Sequence, residues 1–145
     1  MGTWSVDAFG NDFAQDWAED LHQTTSMEAI ENTLDTALDN PGGELEAPLA
    51  AEALVAIEVL ARLQGKGGER TEDSAVIDQW VDARKAKAKV RSDLAQKAVL
   101  ALARIVSEQS ELRQLWQESE HYDAWRASVD ELAARLGAPL GRSAG

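Results

Sequence analysis

Cysteine is absent from the 145 residues, which excludes a disulfide framework and any thiolate metal site and fits a reducing compartment. The longest apolar segment, Ala53 to Leu63, is broken by Glu58 and Arg62, so nothing approaches the ~18 apolar residues of a membrane span. The opening Met1-Gly2-Thr3-Trp4-Ser5-Val6 has no basic stretch or apolar run to serve as a secretory signal, and Val6 stands where myristoylation wants Ser or Thr. These absences lead us to expect a soluble, cytoplasmic protein with no membrane association. Histidine is scarce: His22 and His121 are the only two, and no H-x-x-x-H pair exists for a zincin-type site. No G-x-S-x-G elbow is present. Gly65-Lys66-Gly67-Gly68 lacks the Gly-Lys-Ser/Thr ending of a phosphate loop and follows a helix, so it reads as a connector. No cofactor, resident metal or catalytic residue is expected.

Basic residues are missing from one half of the chain. Met1 to Ala61 holds thirteen Asp and Glu and no Lys or Arg, whereas Arg62 to Gly145 holds thirteen acids and fourteen bases. The net charge of −12 therefore resides in the first half. Phosphate-rich surfaces are repelled by such a field, which excludes nucleic acid as a partner of that half and favours a basic protein surface. A purely solubilising role for the charge remains the alternative.

What fills the sequence is helical periodicity. Asn11 or Asp12 can cap a first helix to about Gln23, with Phe13, Trp17 and Leu21 on one face. Thr25 and Glu28 have capping-box spacing for a second helix, about Ser26 to Asp39, with Met27, Ile30, Leu34, Ala37 and Leu38 as its apolar stripe. Asn40-Pro41-Gly42-Gly43 stops it. Pro48 suits the first turn of a third helix to about Leu63, and its nearly all-round apolar surface places it at the centre of the core. A fourth helix starts near Asp73 or Ser74 and carries Val76, Ile77, Trp80 and Val81. Asp93 to about Gln109 is amphipathic, Ser110 caps a short helix with Leu112, Leu115 and Trp116, and a last helix runs from about His121 to Leu136. Gly137 and Pro139 end it. The expected fold is all-α: a compact single-domain bundle of about six to seven helices over residues 1–145, with an irregular arm at 1–10 and a frayed tail at 138–145. The periodicity puts Trp17, Trp80 and Trp125 in the core.

Two charged constellations stand out. Asp12, Asp16, Glu19 and Asp20 fall at i+3 and i+4 spacings on the first helix, while Glu28, Glu31, Asp35 and Asp39 run along the second. Both rows read as an ordinary solvated face, as a surface for a partner's arginines and lysines, or, in the first helix with Glu52 or His22, as a divalent-metal or small-ligand site. The basic run Arg84-Lys85-Ala86-Lys87-Ala88-Lys89-Val90-Arg91 either lies against the acidic half or offers Arg84, Lys87 and Arg91 to phosphate, and no aromatics interleave to favour the second.

The arm and first helix together read Gly2-x-Trp4-x₄-Phe9-x-Asn11-Asp12-x-Ala14-x-Asp16-Trp17. That string resembles the opening signature of the bacterial domain-of-unknown-function family 4259. The similarity continues in Ala50-Ala51-Glu52, Ser110-Glu111-Leu112-x-x-Leu115-Trp116 and the Trp125 to Leu136 helix. In that family glycines commonly flank the Trp, where this chain has Ser5 and Asp7. The resemblance implies a bacterial, compact single domain and brings no activity, catalytic residue or cofactor. It also implies that the junction at Asn11 and Asp12, with Trp4 and Phe9 beneath it, is more than a cap. The function expected from all of this is a non-enzymatic module binding a basic protein, in its most concrete form an immunity or antitoxin-like protein, with no preference as to oligomeric state.

Overall fold

The computed structural model describes residues 12–23, 27–39, 43–66, 74–84, 90 and 92–137. Within them lie seven helices: α1 (Asp12–His22), α2 (Glu28–Leu38), α3 (Ala47–Leu63), α4 (Ala75–Arg84), α5 (Ser92–Ile105), α6 (Glu111–Gln117) and α7 (Tyr122–Arg135). An isolated parallel bridge between Leu45 and Ser110 is the extended pairing recorded among these residues. The arm at 1–10 and the tail at 138–145 lie outside the described residues.

α3 sits at the centre because no side of it is polar enough to face water. Nearly all of its residues are buried, with Ala50, Ala53, Val55, Ala56, Ile57, Val59 and Ala61 fully so. The other six helices all pack on it, and around it α4 neighbours α1, α2 neighbours α5, α5 neighbours α7, and α7 neighbours α6. Its alanines let the surrounding backbones approach closely, and the large apolar side chains of the outer helices fill the remaining space. Trp80 and Trp125 are buried as expected, and Trp116 stacks on Trp125 with ring centroids 6.3 Å apart.

The ends of α3 are held by distant parts of the chain. Its N-cap, Glu46, makes no side-chain cap bond; instead Glu111 of α6 accepts a 2.8 Å bond from the Ala47 amide. A carboxylate there satisfies one of the free first-turn N–H groups and complements the positive helix end. Leu45 fixes this approach, donating to the Gln109 carbonyl and accepting from the Glu111 amide, both at 2.8 Å. At the other end Gly65 has φ 77°, its amide bonds the Arg62 carbonyl and the Lys66 amide bonds the Ala61 carbonyl. This is the double closure that a left-handed residue after a helix permits.

Two expected boundaries differ. The second helix begins at Glu28 after Met27, which offers no side-chain cap, and Thr25, its expected cap, lies outside the described residues. The fifth ends at Ile105 rather than near Gln109, because Ser107 turns back to bond the Arg104 carbonyl and the chain leaves to pair with Leu45. Ser110 does cap α6, accepting from the Arg113 amide, and Gly137, at φ 80°, follows the end of α7.

Candidate functional site

The rotation of α1 follows from its apolar spacing. Ala14, Trp17, Ala18 and Leu21 are buried, and the indole N–H of Trp17 donates to Thr33 Oγ1 of α2 at 2.8 Å. With that side committed, residues a half-turn away must point outward. Asp12, Asp16, Glu19 and Asp20 are all exposed, so four of the eight acids proposed from sequence share one solvent face. Among the described residues no cation forms an ion pair with any of them. Glu19 and Asp20 also stand in the last turn, where the helix dipole disfavours negative charge.

The second row of acids is used differently. Lys97 of α5 places its ammonium 2.8 Å from Glu31 Oε2 and 2.8 Å from Asp35 Oδ1. Hydrogen bonds to Asp35 and then to Glu31 raise the Lys97 pKa above its ordinary value. Glu31 and Asp35 therefore belong to the contact between α2 and α5, while Glu28 and Asp39 remain exposed beside it. Lys97 thus supplies one positive charge from the second half of the chain to this row. Of the basic run Arg84–Arg91, Arg84 lies over the Trp80 ring at 4.5 Å and donates to its carbonyl, whereas 85–89 and 91 fall outside the described residues.

Repulsion within the α1 face has a measurable consequence. Replacing Asp16, Glu19 and Asp20 by Asn, Gln and Asn removes like-charge i,i+3 and i,i+4 pairs and two unfavourable dipole contacts, while Asp12 keeps its favourable place in the first turn. The triple variant is expected to melt a few degrees above wild type at low ionic strength, with the difference fading in 1 M salt. Thermal unfolding followed by circular dichroism at both salts checks it; an unchanged melting temperature at low salt contradicts it.

Glu52 of α3 adjoins the same face. Burial raises its pKa from the usual 4.5, and the nearby charge of Asp20 raises it further. A carboxyl whose native pKa is raised contributes stability below its unfolded pKa and loses it as pH rises through the native value. Glu52→Gln is therefore expected to raise the melting temperature at pH 7, and the gain over wild type should vanish as pH falls to 4.5. Melting curves across that range settle the sign. Among the described residues no three carboxylate or imidazole groups converge as a metal site, and His22 is exposed at the far end of α1.

A polar feature that sequence reasoning missed lies in the core. Arg62 donates from Nη1 to Glu58 Oε1 at 2.7 Å and from Nε to Asp78 Oδ1 at 2.8 Å. Ser74 Oγ donates to Asp78 Oδ2 at 2.7 Å. Arg135 of α7 grips both oxygens of Glu58, at 3.2 and 3.0 Å, and also bonds Glu131 and the Lys66 carbonyl. Alternating charges thus join α3, α4 and α7. Each carboxylate has at least two donors, which satisfies a network that would be costly if left half made. The available signal was Glu58 and Arg62 at i,i+4 inside an otherwise apolar helix.

Of the motif residues, Ala14 and Trp17 are buried, and Asp12 and Asp16 are exposed; Gly2, Trp4, Phe9 and Asn11 lie outside the described residues. The family profile described as Domain of unknown function (DUF4259) matches residues 2–128, a span that covers α1 to α6 and the first half of α7. No curated protein matches the chain, and no solved structure does.

Proposed function

The chain belongs to the DUF4259 family, whose description names no activity, and from its own geometry we propose that it is a non-catalytic module binding a basic protein surface through α1. One observation carries the reading: the carboxylates of α1 are exposed without a cationic partner among the described residues, whereas Glu31 and Asp35, equally acidic in sequence, share the ammonium of Lys97. Unbalanced like charge on one helix face opposes folding, so its presence is explained by a positive surface that meets it. Asp39 and Glu28 extend the negative field beyond α1. Nucleic acid and anionic membrane are disfavoured partners for this face. In its most concrete form the partner is a toxin whose basic groove α1 covers, and the product of a neighbouring reading frame is the first candidate.

Parallel capture tests this. Wild-type protein and a variant carrying Asp12→Asn, Asp16→Asn, Glu19→Gln and Asp20→Asn are immobilised and exposed to the same extract and to purified products of adjacent genes. A basic protein retained by the first and absent from the second supports the reading. Identical capture profiles overturn it.

A further inference from the structure

Away from α1, the C-terminal turn of α3, the outer face of α5 and the end of α7 enclose an open groove of about 360 Å³. Its floor is apolar, with Val99, Leu100 and Leu136, and its rim holds Gln64, Lys66 and Gln96. The volume falls at the small end of ligand sites, and an apolar floor with a few polar rim groups is their usual make-up. Leu100 is 59% exposed, unlike the other leucines of α5, Leu94 and Leu102, which are buried.

The rim is fixed from both sides. The Lys66 amide is held by the Ala61 carbonyl at 2.8 Å, and its own carbonyl accepts from Arg135 Nη1 at 3.1 Å. Arg135 is in turn gripped by Glu58 and Glu131. The buried network therefore anchors the backbone of a lysine whose ammonium has no ion pair among the described residues. A lysine whose backbone is anchored beside an apolar surface favours a ligand that carries both characters, and an anchored backbone lowers part of the ordering cost of binding.

We propose that this groove binds a small amphipathic monocarboxylate, with its apolar chain on Val99, Leu100 and Leu136 and its carboxylate on Lys66 Nζ between Gln64 and Gln96. A single lysine matches a single charge. The net charge of −12 disfavours polyanions, while screening over about 8 Å at physiological salt leaves the local cation in control of a monoanion. This site is independent of the α1 face, so the two proposals stand or fall separately.

The experiment titrates the full chain with decanoate below its micelle concentration, following binding by calorimetry and amide chemical shifts. Saturable one-site binding is expected, with shifts centred on Gln96 to Leu100. Lys66→Gln should weaken it about fivefold, and Leu100→Asp about tenfold or more, since the first removes an exposed ion pair and the second removes floor and adds repulsion. Both residues are exposed, so both variants keep the fold. Decanol should bind more weakly than decanoate. Leu115→Asp, at another exposed leucine on α6, should leave the affinity unchanged. Absence of saturation, equal affinity in Leu100→Asp or Lys66→Gln, tighter binding of decanol, or an equal loss in Leu115→Asp would each overturn the assignment.

Discussion

Arg62→Met is expected to destabilise the protein by about 3–5 kcal/mol, the range seen when one partner of a buried ion pair is removed. The side chain is 6% exposed and bonds two carboxylates on two helices. Methionine fills much of the same volume but takes the guanidinium away from both acids, while Arg135 stays on Glu58 and Ser74 stays on Asp78. Because each acid keeps at least one other donor, the loss should sit near the lower end of the range. Adding Asp78→Asn to Arg62→Met should recover part of it, since the charge no longer balanced is then gone. Urea unfolding of wild type and the two variants provides the numbers. A loss under about 1 kcal/mol for Arg62→Met would mean that the network is solvated and not a determinant of how α4 meets α3.

Features that depend on neighbours in the chain were legible in the sequence. The nearly all-round apolar surface of the third helix placed it at the centre, and Ser110 and Gly137 marked helix ends at the positions observed. The orientation of α1 was accessible from Trp17 and Leu21, with the acids opposite them, but Phe13, read on the same face, is exposed, and Ala14 and Ala18 complete the buried side. Pairings across the fold were not. Lys97 and Glu31 are 66 residues apart, and Glu111 reaches the α3 N-terminus from 64 residues away. Periodicity gives each residue a face on its own helix but not the helix it will meet. For that reason the eight acids looked equivalent until the packing of α5 on α2 divided them. The pair Glu58 and Arg62 shows the same limit from the other side: their spacing is a local signal, yet their burial depends on Asp78 and Arg135 arriving from α4 and α7.

That division of the acids gives the second large effect. Four exposed ion pairs of about 0.5–1 kcal/mol each add to about 2–4 kcal/mol, a binding difference of about thirtyfold to a thousandfold between wild type and the fourfold α1 variant. Charge at the edge of an interface acts mainly on association rate and on salt sensitivity. Neutralising α1 should therefore slow association while leaving dissociation less affected. By contrast, Lys97→Met should disturb the contact of α2 with α5 and lower stability, without a comparable change in affinity per folded molecule.

The central claim is that α1 is a working electrostatic surface, and the most direct measurement is the affinity for the captured partner as a function of salt, for wild type and for the fourfold variant. Wild-type affinity should fall steeply as salt rises from 50 mM to 500 mM, whereas the variant should bind far more weakly at 50 mM and change hardly at all across the range. Equal affinities with equal salt dependence would contradict it and would return Asp12, Asp16, Glu19 and Asp20 to the status of an ordinary solvated helix face.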